Sequence, residues 1–403
     1  MLRPGVDYLP ASGKTIGDCE KALMHQSVED GWLTSGRFNL LFETALAMFH
    51  GGETNHVMTT NSGSSANLLA ITALTSPLLG DRAIKPGDEV ITVACGFPTT
   101  VNPIVQIGAI PVFIDIDIDT LNAGVGHVLD AMTPKTKAIV LAHTLGNPFP
   151  DEIVTIAKDN GLFLVEDCCD ALGATIRGQK VGTFGDIATF SFYPAHHITT
   201  GEGGAVMTRN KTLKRSIESI RDWGRGCWCP PGCDNTCGNR YGWKTPGMPE
   251  NYDHKYIYTH LGYNLKMTDI QAACGLAQMD AVEMFIAARR KNAKVYRSLL
   301  NKYIPVCMDL EESSWFGMPI LCPHGTRTEL AKFLESKKIG SRNLFGGNLT
   351  KQPYFKDLNY RIQGELKNTD RVAEDLLWVG TWPGLDEDCI AYIANSIKEF
   401  YGD

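Results

Sequence analysis

Six short apolar runs recur between residues 89 and 208: EVITVAC (89–95), IPVFIDI (110–116), AIVLAH (138–143), LFLVED (162–167), IATFSF (187–192) and AVMT (205–208). Strands that are apolar along their whole length need both faces covered, and helix-length connections between them supply that cover. The pattern predicts an α/β large domain built on a mainly parallel sheet. At 403 residues, with 43% hydrophobic and 21% charged residues, the chain can bury a substantial core without staples. The large domain is expected over 39–285, after an N-terminal helical arm at 1–38, and a smaller α+β C-terminal domain over 286–403. The stretch 224–254 is rich in Gly, Pro, Cys and Trp and has neither helix nor strand period, so it reads as a long loop. Residues 269–300 carry an unbroken helical period and predict one long helix into the second lobe.

The net charge of −7 argues against nucleic acid as a partner, because phosphate neutralisation needs clustered Lys and Arg. The first residues, MLRPGVDYLPASGK, lack the apolar core of a signal peptide, and no run is long enough to span a bilayer. A cytoplasmic protein acting on small molecules is expected. In that compartment twelve cysteines do not point to structural disulfides, so a dense group of them suggests a metal or redox role. Cys19, Cys95, Cys274, Cys307, Cys322 and Cys389 are scattered singly and read as core or surface thiols.

TTNSGSSANLLAITAL (59–74) runs from a hydroxyl-rich turn into an apolar-periodic helix. Unpaired amides converge at such a terminus and make an anion site around Gly63, Ser64 and Ser65, although a capped helix without a ligand has the same signature. Asp167 ends a predicted strand, where ligands bind in open α/β sheets and where a carboxylate can pair with a protonated pyridine nitrogen. Taken alone it is as readily a helix cap. Phe97 follows another strand end and can stack on a planar ring, or simply fill core. Ser191, in the strand end before His196, can donate to the same anion.

TNSGSSAN, VEDCCDALGA, SFYP followed by GEGG, and LGYNLKMTDIQAA occur in the order and spacing of a known group of enzymes. The chain resembles the DegT/DnrJ/EryC1/StrS sugar aminotransferase-like family, whose fold is the fold-type I pyridoxal phosphate (PLP)-dependent transferase fold. The resemblance implies phosphate contacts from Gly63, Ser64 and Ser191, ring stacking by Phe97 and a pyridine partner at Asp167. It also implies a homodimer, in which Asn264 reaches the phosphate of the other subunit. Family aminotransferases usually carry Gln or His where Asp170 stands here. His196 occupies the position of the family lysine. An imidazole can move protons but cannot tether the cofactor covalently, so His196 is read as catalytic and the resting cofactor as pyridoxamine phosphate (PMP). His197 reads as structural.

Cys169 lies two residues beyond Asp167, and the long loop supplies Cys227, Cys229, Cys233 and Cys237. Thiolates ligate zinc and iron–sulfur clusters, and a zinc site on this loop fits the knuckle spacing only loosely. The set Cys169, Cys227, Cys229 and Cys237 is similar to the [2Fe-2S] pattern of the CDP-4-keto-6-deoxy-D-glucose 3-dehydratases, which also have His for Lys. Cys233 is then a non-ligand and Cys168 is packing. The resemblance implies C-3 dehydration of a nucleotide-linked 4-keto-6-deoxyhexose in 3,6-dideoxysugar biosynthesis. It further implies an NADH-dependent iron–sulfur flavin reductase as electron donor. A nucleotide-sugar aminotransferase and a cluster-free GDP-sugar 3-dehydratase are the competing readings.

Overall fold

Thirteen strands form in the computed structural model, which describes residues 2–52, 54–305 and 309–403. Through the first lobe they are β1 (His56–Thr60), β2 (Glu89–Val93), β3 (Ile110–Ile114), β4 (Thr136–Ala142), β5 (Phe163–Asp167), β6 (Thr175–Ile176), β7 (Gln179–Lys180), β8 (Ile187–Ser191) and β9 (Gly204–Thr208). The remainder are β10 (Gly317–Leu321), β11 (Ser341–Asn343), β12 (Arg361–Ile362) and β13 (Leu376–Gly380). Cys307 lies outside the described residues.

Each of the six apolar runs is a strand of one eight-stranded sheet, in the order β1-β9-β8-β5-β4-β2-β3-β12. Strands β2, β5 and β9 are buried along their whole length, as two covered faces require. The pairs β8/β5, β5/β4, β4/β2, β2/β3 and β3/β12 are parallel. The edge formed by β9 and β1 is antiparallel. The cause is local: residues 192–203 between β8 and β9 contain no helix, and a strand without a helical crossover turns back on its neighbour. That turn carries His196 to the end of the sheet where the parallel strands terminate.

Beyond the large sheet, β10, β13 and β11 make a three-stranded antiparallel sheet backed by helices Arg327–Ser336 and Glu387–Tyr401. Its apolar face, with Met318, Ile320 and Val379, belongs to the same buried cluster as Ile91 and Ile139 of the large sheet. The arm helix Asp18–Asp30 lies on helix Asp269–Met279, where the Gln278 amide donates to the Thr15 carbonyl.

The expected single helix over 269–300 is two, Asp269–Met279 and Val282–Leu300, interrupted at Asp280 and Ala281. Neither residue of the break is Gly or Pro, so the hydrophobic period runs through it unmarked. The loop 224–254 carries no strand and only the first residue of the short turn His254–Tyr256. No helix among the described residues is long and apolar enough to cross a membrane.

Candidate active site and cysteine centre

A cavity of about 430 Å³ opens where β2, β4, β5 and β8 end, closed on its far side by Phe316 and Phe345. Gly63, Ser64, Phe97, Asp167, Cys169, Ser191 and His196 all line it. Of the expected site residues this is the group that the fold brings together, and it draws on segments more than a hundred residues apart.

The anion end is the N-terminus of helix Gly63–Ala73. The Ser62 side chain caps the helix by accepting from the Ser65 amide, which leaves the Gly63 and Ser64 amides facing out of the first turn. Gly63 is there for close approach: a Cβ on it would lie 2.5 Å from the Ser191 Cβ. Backbone amides, the helix dipole and the Ser191 hydroxyl therefore meet in one small volume, which fits a phosphate.

Asp167 is the last residue of β5, and its carboxylate is held from three directions. Asn67 Nδ2 donates to Oδ2 at 2.9 Å, Thr100 Oγ1 donates to the same oxygen at 2.7 Å, and the Cys169 amide donates to Oδ1 at 3.1 Å. Asn67 is itself fixed by the Thr189 hydroxyl at 2.6 Å. A buried carboxylate with three donors is a rigid anionic end for a cationic ring nitrogen. Phe97, 51% exposed, presents its ring at the mouth and meets Phe345 edge to face at 5.9 Å. Anion cradle, aromatic wall and deep carboxylate together fit a phosphorylated pyridine.

His196 sits on the cavity floor, 5.0 Å from the Phe316 ring. Its Nδ1 is 3.6 Å from Asp170 Oδ1, and the two side chains are 14% and 13% exposed. Burial pushes the His196 imidazole down to about 4, and the Arg289 guanidinium adds to the effect. Burial, reinforced by the Asp167 charge, holds the Asp170 carboxyl well above the usual range. Burial thus disfavours the charged form of both partners.

Arg289 was not legible as a site residue. It lies on the inward face of helix Val282–Leu300, and its Nη2 donates to the His196 carbonyl at 3.0 Å while Nη1 donates to the carbonyls of Trp315 and Phe316. This buried fork fixes the loop bearing His196 to the second lobe. An Arg on the buried stripe of a helical period was the available signal. Asn67 and Thr100 were also missed, being ordinary helix residues in the sequence. His197 is buried, and its Nε2 lies at hydrogen-bond distance, 3.0 Å, from the Ser314 carbonyl.

Asn264 does not line this cavity; it bridges to Asp222 in the backbone, and Lys266 Nζ donates to its side chain at 2.7 Å.

The cysteines divide into two places. Cys169 lies in the cavity, its thiol raised well above 9.0 by burial and by the Asp167 charge. Cys227, Cys229 and Cys237 gather in the loop around His254, whose Nε2 is 3.8 Å from Cys227 Sγ and 2.8 Å from Cys237 Sγ. Desolvation raises the Cys229 thiol, but hydrogen bonds with Thr236, the Cys237 amide and the two neighbouring thiols outweigh it and bring it down to about 7. Such a set can hold a metal ion or cluster. Cys233 is exposed and Cys168 fully buried.

The architecture and sequence have clear relatives. Residues 14–398 match the model of the DegT/DnrJ/EryC1/StrS aminotransferase family. The chain is 55% identical over 407 residues, 99% of it and 93% of the relative, to the lipopolysaccharide biosynthesis protein RfbH of Salmonella typhimurium. It is 49% identical to a dTDP-4-dehydro-2,6-dideoxy-D-glucose 3-dehydratase of Saccharopolyspora spinosa, over 96% of the chain and 86% of that protein. Its fold matches a crystal structure of Escherichia coli GDP-4-keto-6-deoxy-D-mannose-3-dehydratase with bound hydrated PLP, with a TM-score of 0.86 at 31% identity, covering 97% of this chain and 99% of that one. The chain belongs to the DegT/DnrJ/EryC1/StrS aminotransferase family.

Proposed function

We propose that this protein is a PMP-dependent C-3 dehydratase of a nucleotide-linked 4-keto-6-deoxyhexose, CDP-4-dehydro-6-deoxy-D-glucose, and that it carries a [2Fe-2S] centre. The observation that supports the reading is the cavity lining: Gly63, Ser64, Ser191, Phe97 and Asp167 share it with His196, the residue at the family lysine's position by resemblance, and among the described residues no lysine lines it. Relatives named as nucleotide-sugar 3-dehydratases support the reaction class.

When bound, pyridoxamine phosphate supplies a primary amine for a ketone and a ring that accepts electrons. Gly63, Ser64 and Ser191 would bind its phosphate, Asp167 would keep the ring nitrogen protonated, and Phe97 would cover the ring. His196 is uncharged at neutral pH and moves the proton at the cofactor methylene as the C-3 hydroxyl of the sugar leaves. General-base help of this kind contributes about 10² to 10⁴-fold. Asn264 completes the phosphate site of the other subunit in a homodimer. An NADH-dependent iron–sulfur flavin reductase is the electron donor that the resemblance implies, and a cluster held by the cysteines would supply one-electron transfer. Three of its ligands are the loop thiols Cys227, Cys229 and Cys237, with Cys169 as the fourth that the sequence pattern implies.

The deciding experiment incubates the anaerobically purified protein with PMP, CDP-4-dehydro-6-deoxyglucose, NADH and a flavin reductase of this class. A 3-deoxy sugar is the expected product, without consumption of an amino donor. An amino sugar formed from glutamate would instead assign an aminotransferase. Dehydration by protein that holds neither iron nor sulfide would assign a cluster-free enzyme.

A further inference from the structure

We propose that the basic face formed by Lys211, Lys214 and Arg215 beside Trp228 is where an acidic one-electron donor protein docks to reach the cysteine loop. The inference rests on the reading of that loop as a redox centre.

A hollow of about 390 Å³ opens where His56 of the edge strand β1 meets helix Lys211–Arg221, and it is lined by His56, Lys211, Lys214, Arg215, Glu218 and Trp228. Lys211, Lys214, Arg215 and Glu218 follow the spacing of one helix face, while Leu213, Ser216, Ile217 and Ile220 are buried on the other. Three cations thus face one carboxylate, Glu218, which is 3.4 Å from Lys214 Nζ. On a chain of net charge −7 this is a local reversal of sign. The helix has no acidic residue in its first turn, so the cations stand toward the positive end of its dipole. That placement costs the helix stability and strengthens the field outside it.

Arg215 ties this face to the loop. Its Nη2 donates to the Gly226 carbonyl, and its guanidinium lies 5.4 Å from the Trp228 ring. Trp228 is 56% exposed and stands in the chain between Cys227 and Cys229. Its ring is 5.3 Å from that of Trp243, which in turn meets the His254 ring at 4.6 Å, beside the Cys227 and Cys237 thiols. Neither the three cations nor Trp228 lines the cofactor cavity. A protein seated on the face therefore reaches the thiols without obstructing the substrate.

Charge complementarity fixes the occupant. A basic rim around one exposed aromatic anchor suits a protein that carries its redox group behind an acidic rim. Electron-transfer partners meet transiently over small interfaces, where steering by opposite charge sets the rate of encounter. In each docking event one electron leaves the donor's reduced iron–sulfur centre, which is oxidised, and enters the centre held by the loop thiols, which is reduced. No bond is made or broken. NADH, through the donor's flavin, supplies the two electrons of a turnover, and two successive transfers deliver them.

The test uses the anaerobically purified full-length protein loaded with iron and sulfide, and an NADH-dependent iron–sulfur flavin reductase as the donor. Biolayer interferometry reads the Kd, and stopped-flow absorbance reads reduction of the loop centre. Lys211→Glu/Lys214→Glu should raise the Kd about tenfold or more at low ionic strength and slow the second-order reduction by a similar factor, leaving the rate at saturating donor unchanged. Salt should weaken wild-type binding and have little effect on the variant's. Lys211→Gln/Lys214→Gln, which adds no new charge, should fall between the two. Lys332→Glu/Lys356→Glu makes the same change in net charge at exposed positions elsewhere, and should move the Kd by less than about twofold. Iron content and reduction by dithionite, which needs no docking, should match wild type in all three variants.

Wild-type affinity and salt dependence after reversal of Lys211 and Lys214 overturn the proposal, as does an equal loss in Lys332→Glu/Lys356→Glu. A reversal that splits an oligomer while donor binding is kept makes the face a contact between copies and also overturns it. Wild-type protein that takes up no iron and sulfide overturns the redox reading and the docking with it. Docking alone fails when loaded protein is reduced by the donor as fast after the reversal as before.

Discussion

Nδ1 of His196 lies 3.6 Å from Oδ1 of Asp170, and burial disfavours the charged form of both, pushing the imidazole down to about 4 and the carboxyl up. Burial works against an ion pair here, because it disfavours the charged form of each partner. Its consequence is a defined response to acid.

The unfolded chain protonates His196 near 6.5 and the folded chain only near 4, so acidification across that window loads the proton on the unfolded state. The His196 contribution is complete above 6.5 and is lost as the pH falls toward 4, to a limit of about 3 kcal/mol. Asp170 acts in the opposite sense, stabilising below 3.8 and losing that contribution as the pH rises through its higher folded value. Urea unfolding of apoprotein at a series of pH values should therefore show a shallower acid decline in His196→Asn than in wild type. Equal slopes would mean that His196 is charged in the fold.

The same substitution separates binding from chemistry. His196→Asn should retain PMP, since the phosphate cradle and Asp167 are untouched, and should lose about 10² to 10⁴-fold in turnover. Equilibrium titration with PMP and single-turnover product analysis check the two halves independently. A variant that turns over normally would remove His196 from the proton step.

Arg289 grips three carbonyls, including that of His196, with a planar fork that an ammonium cannot reproduce. Arg289→Lys should lower stability by about 1 to 3 kcal/mol through the unsatisfied buried carbonyls, and lower turnover through displacement of the His196 loop. The chemical denaturation midpoint and kcat measure these. Unchanged values for both would show that the loop is held by other contacts.

Gly63→Ala places a methyl against Ser191, where the Cβ separation is 2.5 Å. Overpacking of this kind costs about 1 to 3 kcal/mol, and it pries the helix terminus from the Ser191 hydroxyl. PMP affinity should fall tenfold or more, on the order of 1.4 kcal/mol, measured by fluorescence titration. Wild-type affinity would place the phosphate elsewhere.

Asp167→Ala should be more disruptive than Asp167→Asn. Alanine strips the acceptor from Asn67, Thr100 and the Cys169 amide, each left buried at about 1 to 3 kcal/mol, whereas asparagine keeps one carbonyl oxygen. Thermal or urea unfolding of the two apoproteins ranks them, and the reverse order would refute the three-donor account.

The sequence alone determined six of the eight strands of the large sheet, the hydroxyl-rich helix start, the lysine missing from the resembled motif and the cysteine-rich loop. Each is a local signal: an apolar run, a hydroxyl-rich turn, one residue exchanged inside an otherwise complete motif. Only the tertiary structure decided the rest, because it depends on which side chains meet across long separations and how much water they keep. Burial pushed the Asp170 carboxyl up beside His196. A guanidinium from residue 289 took hold of the loop bearing His196, the antiparallel edge followed from a connection without a helix, and His254 entered the thiol cluster while Cys169 stayed with the cofactor cavity. Spacing along a chain counts residues, but ligation and protonation answer to distance and dielectric, which only the folded packing supplies.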